Sequence, residues 1–263
     1  MTKLLPLLGV FALSAMMTAQ TAIPAGTIIP VELNTTIDAK TWKPGKTVTA
    51  DVAQDVPLYN GAKIKAGTKV QGEVLSVTPA ANSRPATIIL RFGQIDISGK
   101  TTPIITNLRA LASNLRAQSA EWETPATDSG ATAPGAQTVN LIGGEDPDEG
   151  DVAYREAGIV VRGRKTVGKT VFAGRWGVLS KATPCPGEGT FEGDDKPQAL
   201  WVFSYDACGV YGYHLAITSA GQSNPEGKIV LASKKGNLTL YSGSALLLRV
   251  VGSSGHPSQD KGK

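Results

Sequence analysis

Beyond residue 22 the apolar positions of this chain recur with a period of two. In TVTADV (47–52), Val48, Ala50 and Val52 fall on one face, and Thr47, Thr49 and Asp51 on the other. KVQGEV (69–74) sets Val70, Gly72 and Val74 against Lys69, Gln71 and Glu73. QIDIS (94–98) alternates Ile95 and Ile97 with polar neighbours, and ALLLRVV (245–251) alternates Leu246, Leu248 and Val250 with a second, partly polar face. Successive side chains of a strand point to opposite faces, so this is the pattern of half-buried strands. Turn signals separate them: Lys43-Pro44-Gly45, Asn60-Gly61, Ala66-Gly67, Ser98-Gly99 and Lys235-Gly236-Asn237. Short strands parted in this way predict an all-β chain, either an antiparallel β-barrel or a sandwich.

One stretch departs from the pattern. NLRALASNLRAQSAEW (107–122) has helical composition, but Leu108, Leu111 and Leu115 form a single weak stripe, so a strand end running into a short helix near 107–118 is expected. TPATDSGATAPGAQT (124–138) is small, polar and rich in Pro and Gly, which predicts a linker or long loop over 123–140. It divides a first β half (23–122) from a second β segment (141–252) that completes or adjoins the barrel. A polar tail, 253–263, reads as disordered.

The chain also repeats itself loosely. AGTIIPVEL (25–33), AGTKVQGEV (66–74) and SGSALLLRV (242–250) each place a small residue, a glycine and a hydroxyl residue ahead of a strand. Glycine supplies the turn and the hydroxyl caps it. Two readings stand: three independent hairpin turns, or one barrel whose strands begin alike.

Composition narrows the classes. Of 263 residues 41% are apolar, enough for a substantial core, and a formal charge of +4 is too mild and too scattered to point to nucleic acid. Thr2-Lys3, the apolar run LLPLLGVFALSAMM (4–17) broken by Pro6 and Gly9, and small residues with Ala19 and Ala22 as cleavage points make the pattern of a signal peptide over 1–22. The run is too short and broken for a comfortable membrane span, and no other stretch reads as transmembrane. The expectation is an exported chain, periplasmic or extracellular and associated with the cell envelope. Cys185 and Cys208 are the only cysteines, and an even count in an oxidising compartment suits one disulfide. Without an adjacent histidine pair they make no zinc site.

The first half resembles the TrbI-like β-barrel family of conjugation and type IV secretion scaffolds. The residues that carry the resemblance are Ile23-Pro24-Ala25-Gly26-Thr27 with the strand after it, Pro44-Gly45 before TVTADV, Ile64-Lys65-Ala66-Gly67-Thr68 before KVQGEV, IILRFGQIDISGK (88–100), and the closing LTLYSGSALLLRV (238–250). The resemblance implies a rigid, exported, non-catalytic β-barrel module that self-associates or binds an envelope protein. A Pro-rich periplasmic arm and a long apolar helical pair, which would go with channel formation, are not found in the sequence.

The chemically suggestive residues lie outside that match. GRKTVGKT (163–170) fits the phosphate-loop pattern at Gly163, Gly168, Lys169 and Thr170. A working loop of this kind joins a buried strand to a helix N-terminus. AGIVV (157–161) supplies the strand, but VFAGRWGVLS (171–180) carries two glycines and makes a poor helix. A hairpin with Gly163 and Gly168 at turns and no bound cofactor is expected, its strand beginning at Thr170 and Val171. EDPDEGD (145–151) holds five carboxylates; it reads as a solvated acidic loop that pairs across neighbouring turns with the basic stretch of Arg155, Arg162, Arg164, Lys165, Lys169 and Arg175, and not as a calcium loop. QALWVFSYDACGVYGYHLAI (198–217) reads as strand, hairpin turn at 206–209, strand, with Trp201, Phe203 and Tyr205 on one face. Trp201, Tyr205, Tyr211 and Tyr213 are therefore the candidate interaction surface if exposed, for a protein or a glycan, and core if buried. His214 follows on a strand, His256 is in the tail, and no nucleophile elbow or paired-carboxylate cleft is recognisable, so no enzyme is expected.

Overall fold

The computed structural model describes residues 23–59, 61–82, 84–121, 124–125, 137–144, 151–154, 157–173, 175–191, 193–221 and 227–252. The proposed signal peptide, the polar tail and most of the acidic run lie outside them. The described chain is all-β apart from one short helix, and it forms a curled half-barrel covered on one side by a second sheet.

The half-barrel sheet places Gly209–Tyr211, Ile105–Ala112, Ala245–Gly252, Ile28–Leu33, Thr47–Val52, Lys69–Thr78, Thr87–Ile97, Ile229–Ser233 and Leu215–Ala220 side by side, with Lys100–Pro103 also on Thr87–Ile97. Its ladders are antiparallel except where Gly209–Tyr211 joins Ile105–Ala112 in parallel. The sheet curls until its seventh strand in spatial order, Thr87–Ile97, meets its second, Ile105–Ala112: Thr106 Oγ1 donates to Phe92 O (3.0 Å), and Ile104 N to Gly93 O (3.0 Å). The alternating faces read from sequence fill the interior, where Val48, Ala50, Val52, Val70, Val74 and Ile95 pack with Ile29, Val31, Leu246, Leu248 and Val250.

The loose repeat is one structural unit used three times. Gly26, Gly67 and Gly243 have φ of +91°, +80° and +84°, the left-handed region that the third residue of a type II turn requires. In each turn the following residue's N–H returns to the carbonyl three residues back: Thr27 to Pro24, Thr68 to Lys65, Ser244 to Tyr241. Each glycine N–H also donates across to the neighbouring strand, to Val250, Val52 and Leu33, at 2.7 Å. The three strands launched in this way lie in the same sheet, so the single-barrel reading holds.

The second sheet is a seven-stranded antiparallel meander in chain order: Thr124–Pro125, Gln137–Asn140, Asp151–Tyr154, Ile159–Arg162, Lys165–Ala173, Arg175–Ser180 and Gln198–Ala199. It is inserted between barrel strands, so residues 209–252 complete the barrel while 137–199 adjoin it. Two of its strands fall inside the segment expected to be a linker. The sheet covers the outer face of the barrel, where Ile28, Ala110, Ala112, Ala245 and Leu247 pack with Val139, Ala153, Val160, Trp176 and Val178. Three small alanines on the barrel wall let the layers approach. The strand at 245–252 is consequently buried on both faces over most of its length, and what reads in sequence as a partly polar face lies beneath the second layer.

The helix is displaced from its expected place. Residues 105–112 are strand, paired with Ala245–Gly252, and the helix runs Asn114–Glu121. Ser113 starts it, accepting from Arg116 N at its hydroxyl (3.3 Å) and from Ala117 N at its carbonyl (2.9 Å). Leu115, part of the presumed stripe, is exposed. No helix among the described residues is long and apolar enough to cross a membrane.

Candidate functional site

Two barrel strands each carry an arginine on the outer face, Arg109 in Ile105–Ala112 and Arg249 in Ala245–Gly252. Side-chain exposures are 0% and 1%. The residues that neutralise them come from the loop between Arg175–Ser180 and Gln198–Ala199. Glu188 Oε2 lies 2.7 Å from Arg109 Nη1 and 2.9 Å from Arg249 Nη1, and Asp194 Oδ1 pairs with Arg249 Nη2. Arg109 Nη2 also donates to Thr183 O (2.6 Å) and Tyr205 O (3.2 Å), and the Arg249 guanidinium stands 4.6 Å over the Phe191 ring. Burial pulls the Arg109 guanidinium below its ordinary value, against the opposing pull of Glu188.

The disulfide fixes this loop. Cys185 and Cys208 are bonded with Cα atoms 5.8 Å apart. Cys208 is held from both sides by one phenol: its N–H donates to Tyr211 Oη (3.0 Å), which donates to Cys208 O (2.9 Å). Cys185 and Glu188 share a turn in which Glu188 N donates to Cys185 O and Cys185 N to Glu188 Oε2, both at 2.9 Å. Fixing Cys185 therefore fixes Glu188.

Other polar groups bind the layers to one another. Arg175 reaches from the second sheet to Glu32 on the barrel (2.6 Å) and Glu121 on the helix (2.5 Å), and lies 4.9 Å over the Trp201 ring. Gln54, buried, donates to Val178 O (3.0 Å) and accepts from Trp201 N (2.6 Å). Gly177 makes room for it, since a Cβ there would lie 2.2 Å from Gln54 Oε1.

Of the four rings read as surface if exposed and core if buried, one is core and three are half-buried. Residues 200–208 are turns and irregular backbone with one isolated bridge from Phe203 to Ile142, not a strand, because the chain turns at Trp201, which has φ +52° and is buried. Its indole N–H donates to Glu121 (3.2 Å). Tyr211 pins Cys208, and Tyr213 Oη pairs with Ser244 Oγ (2.6 Å) and accepts from Tyr241 N (3.0 Å). Tyr205 is half-buried under the Arg162 guanidinium (4.4 Å). Trp201 is thus core, and each of the three tyrosines is half-buried with a partner within the fold.

The phosphate-loop string forms a hairpin. Gly163 (φ +55°) takes the first central position of the two-residue turn between Ile159–Arg162 and Lys165–Ala173. Gly168 is not at a turn. It lies within the strand beside a bulge, where a Cβ would stand 2.8 Å from Leu179 O. Lys169 is exposed, and Thr170 and Val171 are mid-strand, since the strand begins at Lys165. Of the acidic run, Asp151 is buried and not solvated: Arg162 Nε donates to its Oδ1 (2.6 Å), and its Oδ2 accepts from the Ser204 hydroxyl. Arg162 further grips Asp206 through Nη1 (2.7 Å) and Nη2 (2.9 Å). The expected pairing of acidic and basic stretches exists at this point.

Arg109, Arg249, Glu188 and Asp194 were missed by sequence reasoning. The available signal was an arginine inside each of two apolar runs, RALA and LLLRVV, since a lone charge in a buried strand needs a partner. No family model matches the chain, and no curated protein matches it.

Proposed function

We propose that the chain is an exported, non-catalytic β-structured protein with a structural or protein-interaction role at the bacterial cell envelope. The half-barrel with its repeated launching turns supports a rigid module of the kind the TrbI-like resemblance implies. The disulfide is compatible with an oxidising compartment. The observation that carries the interaction role is Phe172. It is 78% exposed near the end of the second sheet's longest hairpin, although its cross-strand partner Trp176 is buried. An exposed aromatic anchor suits a protein partner with an apolar pocket.

The test is a photo-crosslinking residue at position 172 of the full chain expressed in a bacterial envelope, with position 190 as the exposed control. A discrete adduct at 172 and none at 190 is expected. Equal labelling at both positions, or none at either, removes the interaction role.

A further inference from the structure

We propose that Arg109 and Arg249 form a carboxylate-binding cleft which the chain fills in cis with Glu188, and that the Cys185–Cys208 bond is the latch that keeps it filled. Opened by a dithiol, the cleft takes an acidic segment of a partner protein in trans.

Three observations carry this. The loop has the form of a plug: Pro186, Gly187, Gly189 and Thr190 are exposed, while the Glu188 side chain between them is 1% exposed. The loop is tied at its two ends, by Thr183 N–H on Tyr205 O (3.0 Å) and by Asp194 on Arg249, and between those ties it is held around Glu188 by the Glu188 N–H on Cys185 O, the carboxylate's own contacts and the disulfide three residues away. The cleft is also larger in hydrogen-bonding capacity than its occupant. Nε of both arginines and Oε1 of Glu188 are buried without hydrogen-bond partners, and the Arg249 Nη1 contact to Glu188 is an ion pair off the hydrogen-bond axis. Two guanidinium forks can hold two carboxylate oxygens each in parallel, yet Glu188 offers both arginines the same oxygen. A segment with adjacent carboxylates uses donors that Glu188 leaves idle.

The opening step balances as a thiol–disulfide exchange. A thiolate of the external dithiol attacks one cysteine sulfur, the Cys185–Cys208 bond breaks, and a mixed disulfide forms. The reagent's second thiol displaces the protein sulfur, leaving a cyclic oxidised reagent. Two electrons pass to the protein, and the two thiol protons end on Cys185 and Cys208. Both cysteines are partly exposed, so a reductant can reach them.

The probe is a fluorescent synthetic peptide of residues 183–194 carrying Cys185→Ser, with a second peptide that also carries Glu188→Gln. Fluorescence anisotropy is read on the full chain, oxidised and after dithiothreitol, with hydrogen exchange on the same samples. The oxidised protein should bind neither peptide. The reduced protein should bind the first at least tenfold more tightly than the second. In exchange, residues 183–190 should lose protection on reduction while 105–112 and 245–252 keep theirs. The proposal is overturned if the reduced protein binds neither peptide or both alike, or if 183–190 stays protected. It is equally overturned if reduction strips protection from the two barrel strands, because the bond is then a structural staple and not a latch.

Discussion

Arg109 and Glu188, 79 residues apart in sequence, meet at 2.7 Å with both side chains almost wholly buried. Desolvating two charges costs several kcal/mol per ion, and their attraction repays this only while the pair is intact. The Glu188 carboxylate is shared with Arg249, so its loss leaves two buried cations that retain, among the described residues, the Asp194 carboxylate on Arg249. Glu188→Gln is therefore expected to destabilise the fold by about 3–5 kcal/mol. Urea unfolding checks this, with Glu73→Gln as a control. Its pair with Arg91 is exposed, and its loss should cost about 1 kcal/mol or less.

Removing the disulfide should cost less than removing Glu188. The bond closes a loop of sequence separation 23, worth about 3 kcal/mol in the chain-entropy account. Cys185→Ser with Cys208→Ser should lower the unfolding free energy from urea titration by about that amount and leave the far-ultraviolet spectrum unchanged. A changed spectrum would show that the bond directs the fold and does more than hold this loop in place.

Two residues of the GRKTVGKT string should respond in the order opposite to that of a phosphate loop. Lys169 is exposed on a strand, so Lys169→Ala should change stability by about 0.5 kcal/mol or less. Gly168→Ala sets a Cβ 2.8 Å from Leu179 O and 2.9 Å from the Ser180 Cβ, so the strands must part. A loss of about 1–3 kcal/mol is expected. Calorimetry with ATP and magnesium completes the test: micromolar binding abolished by Lys169→Ala would overturn the hairpin reading of this string.

Asp206 should make the protein acid-sensitive. Burial raises its carboxyl, but the hydrogen bonds and charge of the Arg162 guanidinium outweigh burial and hold it below the ordinary 3.8. With the folded value below the unfolded one, the unfolded state binds more protons between the two. The contribution is thus complete above the ordinary carboxylate range and is lost as pH falls through the folded value. Asp206→Asn should reduce stability at neutral pH and flatten the decline below about pH 4. Urea midpoints from neutral to acid pH measure it, and parallel curves for the two proteins would exclude the linkage.

The sequence by itself determined the strands whose environments differ on their two sides. Thr47–Val52 and Lys69–Thr78 keep one face in the barrel interior, so burial and alternation coincide and can be read locally. The launching turns were legible for the same reason, because a left-handed glycine is a requirement of four consecutive residues. The disulfide was legible because two cysteines allow one pairing. Tertiary structure alone decided which outer faces would be covered. Ile105–Ala112 resembles a helix because the second sheet buries its outer side as well as its inner one, and the period-two signal vanishes when both faces are apolar. Trp201 reads as strand, but the chain turns there. Arg109 and Arg249 acquire their meaning from a loop that reaches them only once two sheets are stacked. Burial of a charge depends on what lies above it, and that is set by residues 55 and 79 positions away, beyond the reach of any local pattern.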